Sequence, residues 1–567
     1  MNWANQVLQY PLATWRGLRR VWPRIADRVA MRTARLSSPA TAFVSQPEPR
    51  SYGQGAHGVQ MLAGNYLVRG NIHEMPDVVP WDIVSLGRDQ RVEMHGFAWL
   101  DDVVAVDTPE VRAKAQAWVF EWLERYGRGR GDGWAPDLTG RRVVRWINHA
   151  ILILQRADSE HSQAFFRSLG HQAHFLRKRW KSVRAGLPRF EALTGLAYCG
   201  LALEGQGHVL QPALKALGRE CAREIGVDGG IANRNPEELM EIFTLLSWVN
   251  QAVSVQGQAV NSEILLALER IAPAIRALRL GDGRMVQFHG GAAGQVDRVD
   301  QALADAGIRS PASMGGAMGY SRMSASGTVL VVDTANMPSA EHSQNVHAGA
   351  LSFEMSSGRV PMLVNMGPAR GYATQIRNVS RASAAHNVSV LDGASSARFL
   401  GKGKRLRWVA APSFVNAKKD DNEFGQALLA RHDGYSQSHG LVHERQLAVV
   451  HSGEEVQGEE RFYCQSTGQR VRFGARADEY RAMPFETHFR FHPDVDVELG
   501  LNGTIASIQL KTGEIWLLRA KGGDLELRDT IFIEQGRLKP RATQEVVVMG
   551  RVVDYEGGIS WTLTRSN

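Results

Sequence analysis

The chain has 567 residues, which is too long for a single ordinary hydrophobic core. Its 44% hydrophobic and 22% charged residues are typical of a globular protein and exclude a largely disordered one. The formal net charge is +8, but residues 1–40 contain seven arginines and one acid, so the remaining 527 residues carry only +2. This distribution gives no support for a nucleic-acid-binding function.

Residues 1–50 are predicted to form a basic amphipathic arm. Apolar residues recur there at helical spacing, at Trp15, Leu18, Trp22, Ile25 and Val29. Such a helix can lie on an anionic membrane surface, which would give peripheral membrane contact through residues 1–40. The alternative is a helix that docks on the protein's own surface, and we favour it because the hydrophobic stripe is narrow.

The arm lacks the apolar stretch of a secretory signal, and no run of the chain has the length of a transmembrane helix. The three cysteines, Cys199, Cys221 and Cys464, are widely spaced and predict neither a disulfide framework nor a zinc-thiolate site. These features fit a cytoplasmic protein and leave the periplasm open.

Residues 51–310 are predicted to form a helical domain. Seven segments carry apolar residues at i, i+3, i+4 and i+7: 109–126, 141–156, 161–183, 188–204, 210–225, 235–252 and 259–279. Short Gly- or Pro-containing joints separate them, so neighbouring helices should pair antiparallel. The pattern predicts a helical array, a toroid or a solenoid.

Residues 311–567 are predicted to form an antiparallel β-sandwich. The predicted strands are 328–334, 351–355, 388–391, 447–450, 487–491, 508–510, 515–518, 525–527 and 545–549. Gly, Asp, Asn and Ser separate such runs at the short intervals that sandwiches show. The pattern changes within the Gly-rich stretch 281–318, and we place the domain boundary near residue 310.

Three polar residues of the β domain are candidates for a metal site. His347, Asn365 and His386 each lie near a predicted strand, at a spacing that suits neighbouring strands of one sheet. They could converge on a divalent ion, Zn or Ca. The alternative is that both histidines cap strands or hydrogen-bond turns, and the residue types slightly favour it because Asn is a poor zinc ligand. No organic cofactor is predicted, since Asp228-Gly229-Gly230 follows a helix and lacks the lysine of a phosphate loop.

His149 is a candidate sugar-binding residue on the predicted helix 141–156. With Asn148 and Arg145 it would bind a sugar if that helix face lined the mouth of a toroid. The alternative, which we favour, is a solvated helix face with His149 packed between helices.

Three short motifs follow one another around the β-domain histidines. They are HAGALSF at 347–353, VNMG at 364–367, and Arg381 followed by AHN at 385–387. Further motifs occur in a fixed order: HGFAWL at 95–100, WAPD at 134–137, LPRFEA at 187–192, DGG at 228–230 with RNP at 234–236, and HDGY at 432–435 with His443 and Arg445. Together they resemble the heparinase II/III-like family of polysaccharide lyases over nearly all of the chain after residue 55.

This resemblance implies an α+β two-domain fold: an N-terminal (α/α) toroid, or incomplete helical barrel, followed by an antiparallel β-sandwich. The substrate cleft would lie between them. The implied reaction is β-elimination on a uronate-containing acidic polysaccharide. It requires a group that neutralises the substrate carboxylate, a base that takes the C5 proton, and an acid that protonates the leaving oxygen.

The resemblance also implies site residues. His347 matches a catalytic or metal-binding histidine, Asn365 and His386 match metal ligands, and Glu191 matches an acidic residue of the toroid wall. Two departures stand beside this match: Pro188-Arg189 replaces the Asn or His expected before that Glu, and residues 231–238 lack the expected Tyr.

Other residues could take over the roles of the missing ones. Arg189, Arg234 and Asn233 could neutralise a carboxylate, and Tyr435 or Tyr372 could supply the proton. The candidate catalytic set is His347, Glu191, Arg234 and Tyr435, and the candidate substrate-binding set is Arg189, Asn233, Asn235, His149 and Arg381.

The leading functional hypothesis is therefore a polysaccharide lyase with an acidic polysaccharide as its partner. A second is a non-catalytic acidic-glycan-binding protein on a lyase scaffold, which the two departures favour. A third is a membrane-surface envelope factor that uses the basic arm. The resemblance implies the periplasm or cell envelope, with the cytoplasm as the alternative, and the oligomeric state is not predicted.

Overall fold

The computed structural model describes residues 25–36, 40–48, 53–68, 71–106, 108–313, 315–370, 372, 374–400, 407–500, 503–535, 537 and 539–566. The chain divides into two compact units, a helical unit of residues 1–224 with 244–268, and a second unit of residues 225–243 with 269–567. Most of the predicted arm, including Trp15, Leu18 and Trp22, lies outside the described residues, whereas residues 25–34 are helical.

The helical unit is built from consecutive helices. They are α1 (residues 25–34), α2 (Gly55–Leu62), α3 (Arg88–Met94), α4 (Trp99–Val104), α5 (Pro109–Tyr126), α6 (Pro136–Asn148), α7 (Ala150–Leu154), α8 (Ser159–Arg179), α9 (Leu187–Ala202) and α10 (Leu210–Glu224). Strands β1 (Asn65–Val68) and β2 (Asn71–Glu74) form a hairpin. Helices α11 (Pro236–Val255) and α12 (Ser262–Ala277) each contribute residues to both units.

Local sequence explains where these helices begin. Thr108 caps α5, since its side chain accepts the Val111 N–H, and Pro109 occupies the first helical position. Asp158 caps α8 in the same way through His161 N–H. Helix starts of this kind therefore follow from short polar-to-helical junctions in the sequence.

Helices α6 and α9 approach closely because glycines face each other at their crossing. A Cβ atom added at Gly195 would lie 2.4 Å from the Cα of Gly140. The same crossing places Arg141 of α6 beside Glu191 of α9. Next to it, the fully buried Arg142 lies over the ring of Trp122 at 4.2 Å, so the core of this unit encloses a cation among aromatic rings.

The second unit is mainly β-structure. Its strands are β3 (Tyr320–Ala325), β4 (Thr328–Asp333), β5 (Phe353–Ser357), β6 (Val360–Leu363), β7 (Ser389–Leu391), β8 (Arg398–Leu400), β9 (Arg407–Ala410), β10 (Val415–Asn422), β11 (Gly425–His432), β12 (Val442–Val450), β13 (Glu455–Tyr463), β14 (Ala482–Arg490), β15 (Val495–Gly500), β16 (Ile505–Leu510), β17 (Ile515–Lys521), β18 (Asp524–Phe532), β19 (Arg541–Val553) and β20 (Glu556–Ser566). Its short helices are α13 (Val296–Ala306), α14 (Thr374–Val379) and α15 (Thr467–Gly474).

All strand pairs in this unit are antiparallel. A 12-stranded sheet has the main order β10-β11-β12-β13-β20-β17-β16-β15, with β7, β14, β18 and β19 joined through the β19–β20 pair, and β3–β6 form a 4-stranded sheet. Side chains of both sheets share one core, in which Phe353 and Met355 of β5 pack with Leu447, Val456 and Trp561 of the large sheet. Strand β13 shows the expected alternation of buried and exposed residues.

The order of helices followed by antiparallel strands confirms the predicted fold class. The units do not divide near residue 310, because residues 225–243 and 269–310 belong to the second unit. The reason is that side chains such as Arg234 and His289 bond to the β-structure. Within the described residues, no helix has the length and apolar character needed to span a bilayer.

Candidate functional site

His347 and His386 meet in the second unit, as the sequence predicts for two residues of one site. Each lies between a short 3₁₀ helix and a strand, before β5 and β7 respectively. Nδ1 of His347 lies 3.1 Å from Nε2 of His386, and the rings are nearly perpendicular. Both residues are buried, with 6% and 2% of their surface exposed.

Hydrogen-bond partners fix which ring nitrogens carry protons. Nδ1 of His386 lies 2.8 Å from the Ala382 carbonyl oxygen, which can only accept, so Nδ1 carries the proton. Nε2 of neutral His386 then accepts a hydrogen bond from the N–H at Nδ1 of His347. Nε2 of His347 is left as an unprotonated lone pair, the state required of a base or a hydrogen-bond acceptor.

Burial keeps these histidines neutral. It lowers the pKa of His386 to about 4, and it lowers the pKa of His347 well below the usual range, helped by His386 and by nearby arginines. A third buried histidine, His289, accepts the His347 backbone N–H on Nδ1 at 3.3 Å, and its Nε2 faces Asp333 at 3.4 Å. His289 therefore holds the backbone that carries His347.

Arg234 binds Asp333, the same carboxylate that faces His289. It pairs with Asp333 at 2.5 Å, stacks on the ring of Tyr320 at 4.6 Å, and donates to backbone carbonyls that include Met318 and Gly319. Its remaining nitrogen donates to two further carbonyls, of residues 335 and 336. All five N–H donors are thus used inside the protein, which leaves none for a substrate carboxylate in this arrangement, and the catalytic role of Arg234 stays a prediction.

A second buried ion pair holds both histidine segments from the large sheet. Nε of Arg445 donates to Glu460 at 2.7 Å, while its Nη1 donates to the carbonyls of Leu351 and Asn387 at 2.7 and 2.9 Å. The other Glu460 oxygen accepts from His443 at 2.8 Å. One guanidinium therefore ties the segment after His347 to the residue after His386.

A third buried group holds His386 from β14. Arg490 donates through Nη1 to Glu545 at 2.7 Å and to the Ala384 carbonyl at 3.2 Å. Its backbone N–H donates to the Asn387 side chain at 2.6 Å, and Nδ1 of His488 lies 3.3 Å from Glu545. The site histidines are thus held by three separate sets of an arginine, a carboxylate and a histidine.

The predicted metal site does not assemble around this pair. The Asn365 amide oxygen accepts the Asn387 N–H at 3.2 Å, and its amide nitrogen faces the Gln287 carbonyl at 3.4 Å. Among the described residues, no three His, Cys, Asp or Glu side chains form a possible metal site. Two histidines, with an Asn365 amide that is already hydrogen-bonded on both of its polar atoms, do not fit a divalent ion.

The predicted substrate-binding residues near α11 serve the loop that precedes it. The Asn235 side chain caps α11 by accepting the Glu238 N–H at 3.0 Å, and its amide donates to the His289 carbonyl at 3.1 Å. The Asn233 amide donates to Glu238 at 2.5 Å. Arg381 is buried over the ring of Phe399 at 4.3 Å, and burial lowers its pKa to about 10. These side chains are bonded or packed within the protein, and their substrate-binding roles stay predictions.

The two candidate proton donors are also bonded within the protein. Tyr435 is 1% exposed, its hydroxyl donates to the Ser389 carbonyl at 3.2 Å, and burial raises its pKa. Tyr372 donates to the Arg537 carbonyl at 3.3 Å, and burial raises its pKa as well. The Tyr435 phenol is thus buried and bonded within the protein, and its catalytic role stays a prediction.

The helical unit contains the remaining candidates. Glu191 binds Arg141 at 2.8 Å, and burial raises its pKa to about 7 against the opposing effect of that arginine. Arg189 donates to Glu220 at 3.2 Å. His149 is buried and lies 2.9 Å from Asp101, which agrees with the packing alternative for this residue rather than sugar binding.

Several residues that shape the site carry no motif in the sequence. His289, Asp333, Glu460, Arg490 and Glu545 are distant from one another along the chain, and the fold alone brings each to the histidine segments. Among the supporting residues, Arg234, His443 and Arg445 belong to motifs of the family resemblance. A weaker signal was available for Asp333, an acid at the end of the otherwise apolar strand β4.

Consecutive helices followed by two antiparallel sheets give the chain a toroid-plus-β-sandwich fold. Residues 307–562 match the family model "Heparinase II/III-like, C-terminal". Heparinase III superimposes with a TM-score of 0.68 at 10% identity, covering 95% of this chain and 89% of that one. A heparan sulfate lyase HepC mutant from Pedobacter heparinus gives 0.57 at 12% identity, covering 96% and 88%.

A relative outside the lyases is more similar in sequence than these structures are. FtsZ-localized protein C from Caulobacter vibrioides (strain NA1000 / CB15N) is 29% identical over 523 residues, which cover 90% of this chain and 88% of that protein. At 10–12% identity, the likeness to the lyase structures shows the fold alone.

The neutral His386 predicts a loss of stability in acid. Its folded pKa of about 4 lies below the ordinary 6.5, so its contribution is fully present above pH 6.5 and is lost as the pH falls towards 4. The loss should reach roughly 3 kcal/mol in the free energy of unfolding, measured by urea titration across this range. His386→Asn should flatten the profile; a wild-type profile that is flat, or a variant profile parallel to it, contradicts the prediction.

Removing one partner of the Arg445–Glu460 pair should be more costly than removing both. Glu460→Gln leaves a buried guanidinium without its counter-charge and should lower the free energy of unfolding by about 3–5 kcal/mol. The double variant Glu460→Gln, Arg445→Met should lose less than the sum of the single losses, as measured by denaturant titration. Additive losses would show that the two side chains do not act as a pair.

Proposed function

We propose that this chain is a lyase-fold protein that does not catalyse β-elimination and that it acts where FtsZ assembles. The observation that carries the proposal is the set of bonds just described. Among the predicted catalytic residues, Arg234 and Tyr435 are buried and use their polar atoms inside the protein, and Glu191 is bound to Arg141.

β-Elimination needs three groups, and only one is available in the proposed site. The predicted neutralising residues Arg189 and Arg234 already face Glu220 and Asp333. Of the two candidate acids, Tyr435 is buried and Tyr372 donates its hydroxyl to the Arg537 carbonyl at 3.3 Å, and the segment 231–238 contains no tyrosine that could replace them. A base alone, with neither a neutralising group nor an acid beside it, lowers the barrier to removal of the C5 proton only slightly.

The sequence relationship supports a role with FtsZ. The similarity to FtsZ-localized protein C extends over nearly the whole of both chains, so it includes the helical unit and the β-structure. In this proposal the chain localises with FtsZ, which takes the place of the periplasmic expectation. Peripheral membrane contact through residues 1–40 stays a prediction from the sequence.

The charge near His386 suits an acidic partner. Residues 366–410 contain eight arginines and lysines and one acid, Asp392. This segment therefore carries a net charge of +7, although the chain as a whole carries only +8. Long-range attraction to an acidic surface follows from such a concentration of charge. We infer that this segment contacts the partner, with the exposed Arg370 and the half-buried Arg377 among the contacting residues.

One observation favours a second candidate, an acidic-polysaccharide lyase. Nε2 of His347 keeps an unprotonated lone pair, and it makes no hydrogen bond with any described residue. That is the state in which a histidine takes a proton from a sugar carbon. In this alternative His347 is the base, and the substrate itself or its bound water supplies the missing groups.

An elimination assay separates the two candidates. The full chain, incubated with a panel of uronate polymers, should give no rise in the ultraviolet absorbance of unsaturated sugar ends, because the predicted neutralising residues and the predicted acid are bonded within the protein. Heparinase III serves as the positive control. A rise that the His347→Ala variant abolishes would establish the lyase and sink the non-catalytic proposal.

A sedimentation assay tests the FtsZ association. The full chain should pellet with polymers of FtsZ from the same organism, and Arg370→Ala with Arg377→Ala should weaken this about tenfold through loss of two charges. The matched control is Arg472→Ala with Arg476→Ala, an equal charge loss at two exposed residues, one on α15 and one in the turn after it, which should sediment as the wild type does. Wild-type chain that stays in the supernatant contradicts the association.

A further inference from the structure

Strand β10 is an edge strand of the 12-stranded sheet. It pairs with β11 on one side, and no other strand of the described chain pairs with it. Six of its eight residues, 416–418 and 420–422, are exposed. An exposed edge strand of this length offers backbone donors and acceptors to another strand.

The backbone of β10 shows which residues face the free edge. The Val415 N–H donates to the Asn336 side chain at 2.6 Å, so it points away from β11. N–H and C=O groups alternate in direction along a strand, and Ala417 and Asp421 therefore present theirs to the same edge. An added strand must therefore place its own outward-facing N–H and C=O groups opposite these residues.

The charges of β10 are self-complementary. Lys418 and Asp420 lie two residues apart, so their side chains share one face of the strand, and both are exposed. If a second β10 is added antiparallel with the two-fold axis at residue 419, Lys418 of each copy faces Asp420 of the other. Ala417 and Asp421 then exchange backbone hydrogen bonds across the axis, as their direction requires. The two Lys419 residues meet at the axis on the opposite face of the strand, where each ammonium donates to the Arg322 carbonyl of its own chain at 2.9 Å, so only Lys418 and Asp420 supply the complementary charges. In a parallel arrangement in register, Lys would face Lys and Asp would face Asp, which is unfavourable.

The tip of the hairpin gives a second reason for this register. Phe424, in the turn between β10 and β11, is 76% exposed. The same axis places it at the level of the partner's Phe414, which precedes β10. Covering this ring removes apolar surface from water at both ends of the paired strands.

We propose that the chain forms a two-fold symmetric dimer in which the β10 strands of two copies pair antiparallel and join their large sheets into one. The interface is isologous, with the Lys418–Asp420 contact made twice. Because a single pair of edge strands buries a small area, the dimer should dissociate on dilution. The dimer goes beyond the proposed function and does not depend on it.

Charge reversal at two exposed residues tests the dimer without disturbing the core. Sedimentation velocity of the full chain should show a concentration-dependent monomer–dimer equilibrium. K418D places Asp opposite Asp twice, and D420K places Lys opposite Lys twice. Each variant should raise the dissociation constant about tenfold or more.

Two rescues distinguish specific pairing from general loss of charge balance. An equimolar mixture of K418D and D420K should form a heterodimer with wild-type affinity, because every contact is again Lys with Asp. The double variant K418D/D420K, which exchanges the two charges, should dimerise like the wild type. A monomeric wild type at the highest attainable concentration, single variants that dimerise normally, or failure of both rescues overturns the proposal.

Discussion

The hydrogen bond between His347 and His386 depends on charges that the fold buries at considerable cost. Arg445 and Glu460 are 1% and 0% exposed, and Arg234 with Asp333 and Arg490 with Glu545 are nearly as deep. Such pairs contribute little net stability, because the desolvation of two ions offsets most of their attraction. Their geometric effect is larger: each fixes backbone carbonyls or N–H groups of the two short segments that carry the histidines. The position of the pair therefore depends on parts of the chain more than 200 residues apart.

Much of the fold follows from periodicity, and the failures have physical causes. The predicted helix 109–126 coincides with α5, and the predicted strand 328–334 with β4, because both bury one face or all of their residues. Strand β10 escaped prediction because nearly all of its residues are exposed, so no alternation marks it. Near the start of strand β20 lie Gly557 and Gly558, where Cβ atoms would collide with neighbouring strands. In the sequence, two consecutive glycines predict a turn, so the start of this strand was missed.

The site was predictable in part. His347 and His386 meet, but they flank strands of two different sheets, β5 of the 4-stranded sheet and β7 of the 12-stranded sheet, and not neighbouring strands of one sheet as the spacing predicted. The sequence could not show whether a polar side chain bonds to other groups of the protein or stays available to a substrate. Arg234 suits a substrate carboxylate as well as it suits Asp333, and only its five internal acceptors decide between the two. Asn235 likewise reads as a polar site residue until the start of α11 identifies it as a helix cap.

The electrostatics of the site restrict what can bind there. The arginines near His347, among them Arg370 and Arg381, oppose its protonation as burial does. The ring therefore stays neutral, partly because the surrounding segment is basic. An acidic partner would be attracted by the segment of residues 366–410, yet Nε2 of His347 would repel its carboxylate oxygens, because both are lone-pair acceptors. The atom that meets His347 must instead be a donor, such as a sugar hydroxyl or an amide N–H. Under the proposed function, a partner that satisfies both conditions would carry acidic groups around a hydrogen-bond donor, and negative charge alone would not be enough.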